Sequence, residues 1–236
     1  TLEVAPSNSN TIYAGTQASR SKTNNLGGSW VDITNNLPGL SKTYIEINDQ
    51  NANEVWVTLA VFLAGNKVFH STNGGSSWNN ISYDLPNLPV NCIERDIRNG
   101  VLYVGTDVGI YYKKPFTFEW LPYMSGLPNV IVNELEINYA TNKLRAATYG
   151  RGVWMSDPFE YPTNQPIARF NSNNTVACPG IPVQFNDQSL NTITSYQWSF
   201  PGGTPSQSTL ANPAVTYANT GTYDVTLIVS DGTNSD

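Results

Sequence analysis

Through its first 160 residues the chain alternates short apolar stretches with breaks of Asn, Asp, Gly or Pro. Alternation at period two puts successive side chains on opposite faces of an extended chain and predicts β-strands, and no window sustains the 3.6-residue period of an amphipathic helix. One stretch predicts strands at about Tyr44–Asn48, Glu54–Ala60, Asn66–Ser71 and Ser77–Ser82, and the next at about Cys92–Ile97, Val101–Gly105, Gly109–Lys113 and Phe118–Pro122. Trp30, Trp78 and Trp120 are 48 and 42 residues apart, and the pairs Leu37-Pro38, Leu85-Pro86 and Leu127-Pro128 repeat at the same 48 and 42. Two markers in one register, with four strands in each period, predict the blades of a β-propeller. The first period, Leu2–Pro38, fits with a looser turn read from Ser21 to Trp30, two residues longer than its counterpart in the second. A fourth begins at Asn129, runs through Val130–Ile137 and Lys143–Thr148 to Trp154, and is broken by Pro158 and Pro162 before a fourth strand.

After Tyr161-Pro162-Thr163-Asn164-Gln165 the pattern changes. Strands are predicted at Ile167–Phe170, Val183–Asn186, Ser195–Phe200, Ala214–Tyr217 and Thr222–Val229, the layout of an immunoglobulin-like sandwich. The expected organisation is a propeller segment over residues 1–160, a linker over 161–165 and a sandwich over 166–236 that stops short of its last strand. Both ends read as cut, so the chain is expected to be a segment of a larger polypeptide.

The turn Ser71-Thr72-Asn73-Gly74-Gly75-Ser76-Ser77-Trp78 resembles the Asp-box, or BNR repeat, of sialidase-like, sortilin-like and xyloglucanase-like propellers, with Asn73 in the Asp position and Ser77 in the Thr position. That resemblance implies a structural role for Ser71, Asn73, Gly75, Trp78 and the corresponding Trp30, at an outer hairpin away from the face where such propellers bind substrates. Tyr196-Gln197-Trp198-Ser199-Phe200-Pro201-Gly202-Gly203, followed by Gly221-Thr222-Tyr223-Asp224-Val225-Thr226-Leu227, resembles the PKD domain, with Phe-Pro-Gly-Gly in place of the usual Phe-Gly-Asp-Gly. Together they imply an all-β fold: a partial propeller of about three and a half four-stranded blades, the last of a larger ring, then a PKD sandwich. Similar arrays occur in large secreted Bacteroidetes proteins, often exported by the type IX system.

Composition narrows the function classes. A net charge of −6, with Arg169 the only cation from Pro166 onward, disfavours nucleic acid, whose binding draws on Lys and Arg at phosphates. No apolar run is long enough to predict a membrane-spanning helix. Low charge, abundant Asn, Ser and Thr and turn-rich β character suggest an exported protein, and the resemblance to secreted Bacteroidetes arrays implies an extracellular or bacterial cell-surface location. Cys92 and Cys178 fall in different predicted domains, which disfavours a disulfide between them.

Few residues invite chemistry. Glu94 and Asp96 are two apart on a predicted inner strand and so share a face, the best pair of carboxylates for glycoside hydrolysis; Arg95 and Arg98 nearby also allow a plain surface-charge reading. Tyr149 and Arg151 lie on the loop of the fourth period that matches the Asp107 turn of the third, as ligand-binding candidates or as loop residues. His70 is the sole histidine, so a zinc site is not expected. Asp187 and Asp224 are weak calcium candidates, isolated from any dense acidic loop. The expected function is a non-catalytic segment in which the propeller binds an extracellular glycan or surface protein and the PKD domain is a spacer. The partners expected beside that ligand are the remaining blades and domains of the same polypeptide. The alternatives are part of a glycoside hydrolase, or a structural subunit of a surface assembly.

Overall fold

The computed structural model describes residues 1–16, 19–38, 42–115, 117–161 and 165–236, with the side chains of residues 42 and 43 set aside. Residues 162–164 of the predicted linker lie outside the described residues. Two compact units divide the chain, Thr1–Glu160 and Tyr161–Asp236. Strands are the only regular elements among the described residues.

The first unit consists of antiparallel meanders. β1 (Leu2–Val4), β2 (Ile12–Gly15), β3 (Arg20–Thr23) and β4 (Val31–Asp32) form one sheet in that order. β5 (Lys42–Asn48), β6 (Asn51–Leu59), β7 (Val68–Ser71) and β8 (Asn79–Asn80) form the next. β9 (Val90–Arg95), β10 (Leu102–Thr106), β11 (Gly109–Lys113) and β12 (Leu121–Pro122) form the third, and β13 (Val132–Asn138), β14 (Lys143–Thr148) and β15 (Gly152–Ser156) a three-stranded fourth. The first strands of successive sheets lie side by side, β1 against β5, β5 against β9 and β9 against β13. Strands covered by sheets on both faces lose the apolar-polar alternation: all five residues of β10 are buried, as are Val55–Leu59 of β6.

The Ser71–Trp78 turn joins β7 to β8 and makes its own hydrogen bonds. Ser71 Oγ accepts from Gly75 N at 2.8 Å, and Asn73 Oδ1 accepts from Ser77 N at 2.9 Å while Asn73 Nδ2 donates to Ser77 Oγ at 2.8 Å. The Asn73 amide thus accepts on one atom and donates on the other. Gly75 stands at φ +86°, where a Cβ would meet Ile33 Cδ1 at 2.7 Å, so both the conformation and the close approach of the first sheet require glycine. The same bonds recur between β3 and β4: Thr23 Oγ1 accepts from Gly27 N at 3.0 Å and Asn25 Oδ1 from Ser29 N at 2.8 Å. The first turn therefore runs from Thr23 to Trp30 and matches Ser71 to Trp78 residue for residue; the two extra residues expected from Ser21 belong to β3.

Each turn delivers a tryptophan to the preceding sheet. Trp78, 3% exposed, donates from Nε1 to the Ile33 carbonyl at 2.8 Å, and Trp120, also 3% exposed, donates to the Ile81 carbonyl at 2.9 Å. Their backbone N–H groups donate to Asn36 Oδ1 and Asp84 Oδ1 at 3.2 and 2.8 Å. The indoles bury large apolar faces with their one donor satisfied. Trp30 is the exception, 43% exposed on the first sheet.

In the second unit β16 (Phe170–Ser172), β17 (Pro182–Asp187), β21 (Ala214–Tyr217) and β19 (Gly203–Thr204) form one sheet in that spatial order, and β20 (Gln207–Ser208), β18 (Ser195–Ser199) and β22 (Thr226–Ser230) the other. Phe185, Trp198, Phe200, Val215 and Val229 fill the core, with Trp198 Nε1 donating to the Leu210 carbonyl at 2.9 Å. The strand predicted from Thr222 begins only at Thr226, because Tyr223 turns to stack on Tyr217 at 4.2 Å and to donate its hydroxyl to the Asn219 carbonyl. Likewise β16 begins at Phe170, while Ile167 makes a single bridge to Leu190.

Candidate functional site

The carboxyl groups whose surroundings raise them, Glu3, Glu46 and Glu94, all lie on inner strands. Glu46 on β5, Glu94 on β9 and Glu136 on β13 are 48 and 42 residues apart, the spacing of the tryptophans. Glu46 Oε1 accepts from the Arg95 backbone N–H at 3.3 Å, and Glu94 Oε1 accepts from the Ile137 backbone N–H at 3.0 Å. Each carboxylate thereby ties its strand to the next inner strand and satisfies a main-chain donor there. Tyr44 reaches from β5 to β13, its hydroxyl donating to Glu134 Oε1 at 2.5 Å.

Burial pushes the Glu94 carboxyl up to about 7, with Asp49, Glu136 and Glu134 adding repulsion against the hydrogen bond from Ile137. Burial, then the charge of Glu94, raises Glu46 well above the usual carboxylate range, and burial with Glu134 raises Glu3. A carboxyl that titrates near neutrality can give up a proton, the property an acid-catalytic site requires.

Asp96, paired with Glu94 in the sequence reading, keeps other company. It is fully buried just past β9, where Arg98 grips it at two points, Nε to Oδ1 at 2.9 Å and Nη2 to Oδ2 at 2.7 Å. The structure thus groups Glu94 with Glu46, Glu134 and Glu136, and gives Asp96 to Arg98. Sequence reasoning passed over Glu46, Tyr44 and Glu134; the 48 and 42 spacing was the signal that reaches Glu46 from Glu94. Beside this row the Arg95 guanidinium lies 5.8 Å from the Trp56 ring, which stacks on His70 at 4.7 Å. His70 bonds Glu54 at 3.1 Å, and that bond is the main reason the Glu54 carboxyl is lowered.

The other candidates are placed as follows. Tyr149 and Arg151 occupy the β14–β15 turn; Tyr149 is 72% exposed, and the Arg151 carbonyl accepts from Trp154 Nε1 at 3.1 Å. Asp107, in the equivalent β10–β11 turn, accepts from Asn91 Nδ2 at 3.0 Å. Asp187 accepts from Ser189 N and the Tyr196 hydroxyl, both at 3.0 Å, and Asp224 is exposed. Among the described residues no three His, Cys, Asp or Glu side chains come together as a metal-binding group. Cys92 is buried and Cys178 exposed, and both are free thiols.

Residues 163–236 match the family model of the PKD domain. No curated protein matches the chain. Among solved structures, the GH74 xyloglucanase of Xanthomonas campestris is similar at 12% identity and a TM-score of 0.52, over 66% of this chain and 28% of that one. The extracellular domain of a B. thetaiotaomicron protein assigned as a one-component system is similar at 12% identity and a TM-score of 0.51, over 99% of this chain and 35% of that one. At such identity the likeness is one of fold. The chain spans about a third of these structures or less, 28% and 35%. It is an all-β chain of propeller-like antiparallel sheets followed by a PKD domain over residues 163–236.

Proposed function

We propose that the chain is the binding segment of a secreted or cell-surface protein, in which the propeller-like sheets hold an extracellular glycan or a surface protein without turning it over. The PKD domain serves as a spacer, and further blades of the same polypeptide complete the ring. The observation that carries this reading is the use made of the inner-strand acids: Glu46 and Glu94 each accept a backbone N–H of the neighbouring strand, and Asp96 is gripped by Arg98. Carboxyl groups engaged in this way hold the inner strands together, which supports binding without turnover. A glycan and surface-protein array probed with the 236-residue chain tests the reading. Saturable binding of a glycan or protein class is expected, and silence across the array leaves only the scaffold of a surface assembly.

The second reading, part of a glycoside hydrolase, is favoured by one feature. A carboxyl raised to about 7, as Glu94 is, stays partly protonated at neutral pH and so can serve as a general acid.

A further inference from the structure

In the third and fourth sheets the second and third strands are joined by tight turns, Asp107-Val108 between β10 and β11 and Tyr149-Gly150-Arg151 between β14 and β15. The second sheet departs from this pattern. Ala60-Val61-Phe62-Leu63-Ala64-Gly65-Asn66-Lys67 joins β6 to β7, and its run from Ala60 to Ala64 is wholly apolar. Phe62 is 70% exposed and Leu63 47%. Apolar residues scattered singly on a surface are ordinary, but two in succession on a lengthened loop present one contiguous patch. The second sheet has a neighbour on each side, β5 lying between β1 and β9, so the exposure of this loop is not that of an unpaired edge.

The loop is held in shape from within. Lys67 is fully buried and donates from Nζ to the Val61 carbonyl and to Asn87 Oδ1, the latter at 2.9 Å. Leu59 N donates to the Lys67 carbonyl at 2.8 Å and closes the neck, and Asn66 N donates to the Leu63 carbonyl at 3.2 Å in a turn just past the apolar pair. Asn80 Nδ2, on β8, reaches the Gly65 carbonyl at 2.6 Å. Val61 packs on the core between the first and second sheets. Asn87 belongs to the connection from β8 to β9, so β8 and that connection both fix the loop from outside it. An ammonium is costly to bury unless its protons find acceptors. Lys67 meets that demand with the loop's own backbone and one neighbour, and so sets the path of the chain that carries Phe62 and Leu63.

We propose that Phe62 and Leu63 form a preset anchor that enters an apolar pocket of a partner protein, a contact that adds to the binding role inferred above and does not use the inner-strand carboxylates. The chemistry of the loop selects that partner. A sugar stacked on an aromatic ring also needs hydrogen-bonding groups beside it, and the polar side chains of this loop, Asn66 and Lys67, are turned to the Ala64 and Val61 carbonyls. An anionic lipid surface is drawn by exposed Lys or Arg next to apolar residues, whereas the cation of this loop is buried in a chain of net charge −6. A protein pocket asks for neither. Because the loop is already ordered, little freedom is lost on docking, and two apolar side chains can then act as the central anchor of an interface.

The surface-protein array, probed with the 236-residue chain and three variants, is the test. Phe62→Ser should be retained at least about 30-fold more weakly than the parent, the loss expected of an anchoring residue, and Leu63→Ser should also be weakened. Both should melt with the parent, since the replaced side chains are largely exposed. Leu26→Gly removes a similarly exposed apolar side chain, 66%, from the β3–β4 turn at the other end of the unit, and should be retained like the parent. If Phe62→Ser does not fold, Leu63→Ser decides. An array on which no protein is retained, equal retention of the parent and Phe62→Ser, or an equal loss in Leu26→Gly overturns the proposal, while glycans retained on their own array leave the binding role standing. Binding to phosphatidylcholine vesicles that Phe62→Ser abolishes also overturns it and gives the loop to a lipid surface. So does a concentration-dependent dimer that Phe62→Ser returns to monomer, since the anchor would then serve a second copy.

Discussion

Leu26 and Gly74 occupy the same place in two turns that share their hydrogen bonds, and both have left-handed backbone, φ 56° and 69°. Leucine is strained there, and at 66% exposure its side chain recovers little by packing. Leu26→Gly is therefore expected to raise unfolding stability by about 1 kcal/mol, measured in denaturant, the left-handed penalty outweighing the added chain entropy. The tryptophans give a second contrast. Trp78→Ala removes a buried indole and its bond to Ile33 and should cost about 3–5 kcal/mol. Trp30→Ala, at 43% exposure, should cost about 1 kcal/mol or less in the same assay. The turn itself was legible because Ser, Asn, Gly and Trp each meet a local demand of the backbone. Its counterpart was misplaced because Ser21 and Thr23 are both hydroxyl residues at the end of one strand, and only the hydrogen bonds select Thr23. The carbonyl that takes the Trp78 indole belongs to a residue 45 positions earlier and has no side-chain signature.

Whole strands were read well where an apolar, β-branched or aromatic run is bounded by Asn, Asp or Gly, even at β6 and β10 whose burial does not alternate, and less well where a side chain leaves the ladder. The strands expected at Ser77–Ser82 and Phe118–Pro122 shrink to Asn79–Asn80 and Leu121–Pro122, because Trp78 and Trp120 leave the sheet to reach the one before. Thr222–Tyr223 is lost from β22 through the stacking of Tyr223 on Tyr217. Of the inner-strand acids, Glu94 was found from its own spacing to Asp96. Glu46 lies 48 residues before Glu94, in the register of the tryptophans, whereas the approach of Tyr44 to Glu134 crosses separate sheets and leaves no mark in local pattern. Burial of Glu94, reinforced by its acidic neighbours, has a consequence for stability. The folded chain holds the Glu94 proton with a pKa of about 7, against an ordinary 4.5, so it binds protons more tightly than the unfolded chain. This contribution is complete below about pH 4.5 and is lost as pH rises through about 7, with Glu46 and Glu3 shifted in the same sense. The melting temperature should accordingly fall between those limits. Glu94→Gln, which keeps an acceptor for Ile137 N–H, should flatten the profile; an unchanged slope would show that Glu94 is not its source.

At the level of the molecule, the all-β architecture was legible because two unrelated markers, tryptophan and Leu-Pro, keep the intervals of 48 and 42, and because the second unit carries the residues of a PKD domain. Activity was far less legible. A fold repeated across enzymes and non-enzymes specifies where side chains point, while chemistry depends on which polar groups remain free of structural duties. Here Glu46, Glu94 and Asp96 have such duties, which favours the proposed role of binding without turnover. The most direct test is to incubate the 236-residue chain with the glycans it retains on an array and to analyse them by mass spectrometry. The account predicts that the bound glycans are recovered at their original mass at every pH from 5 to 8. Release of shorter products, abolished by Glu94→Gln while binding persists, would contradict it and make the segment part of a glycoside hydrolase.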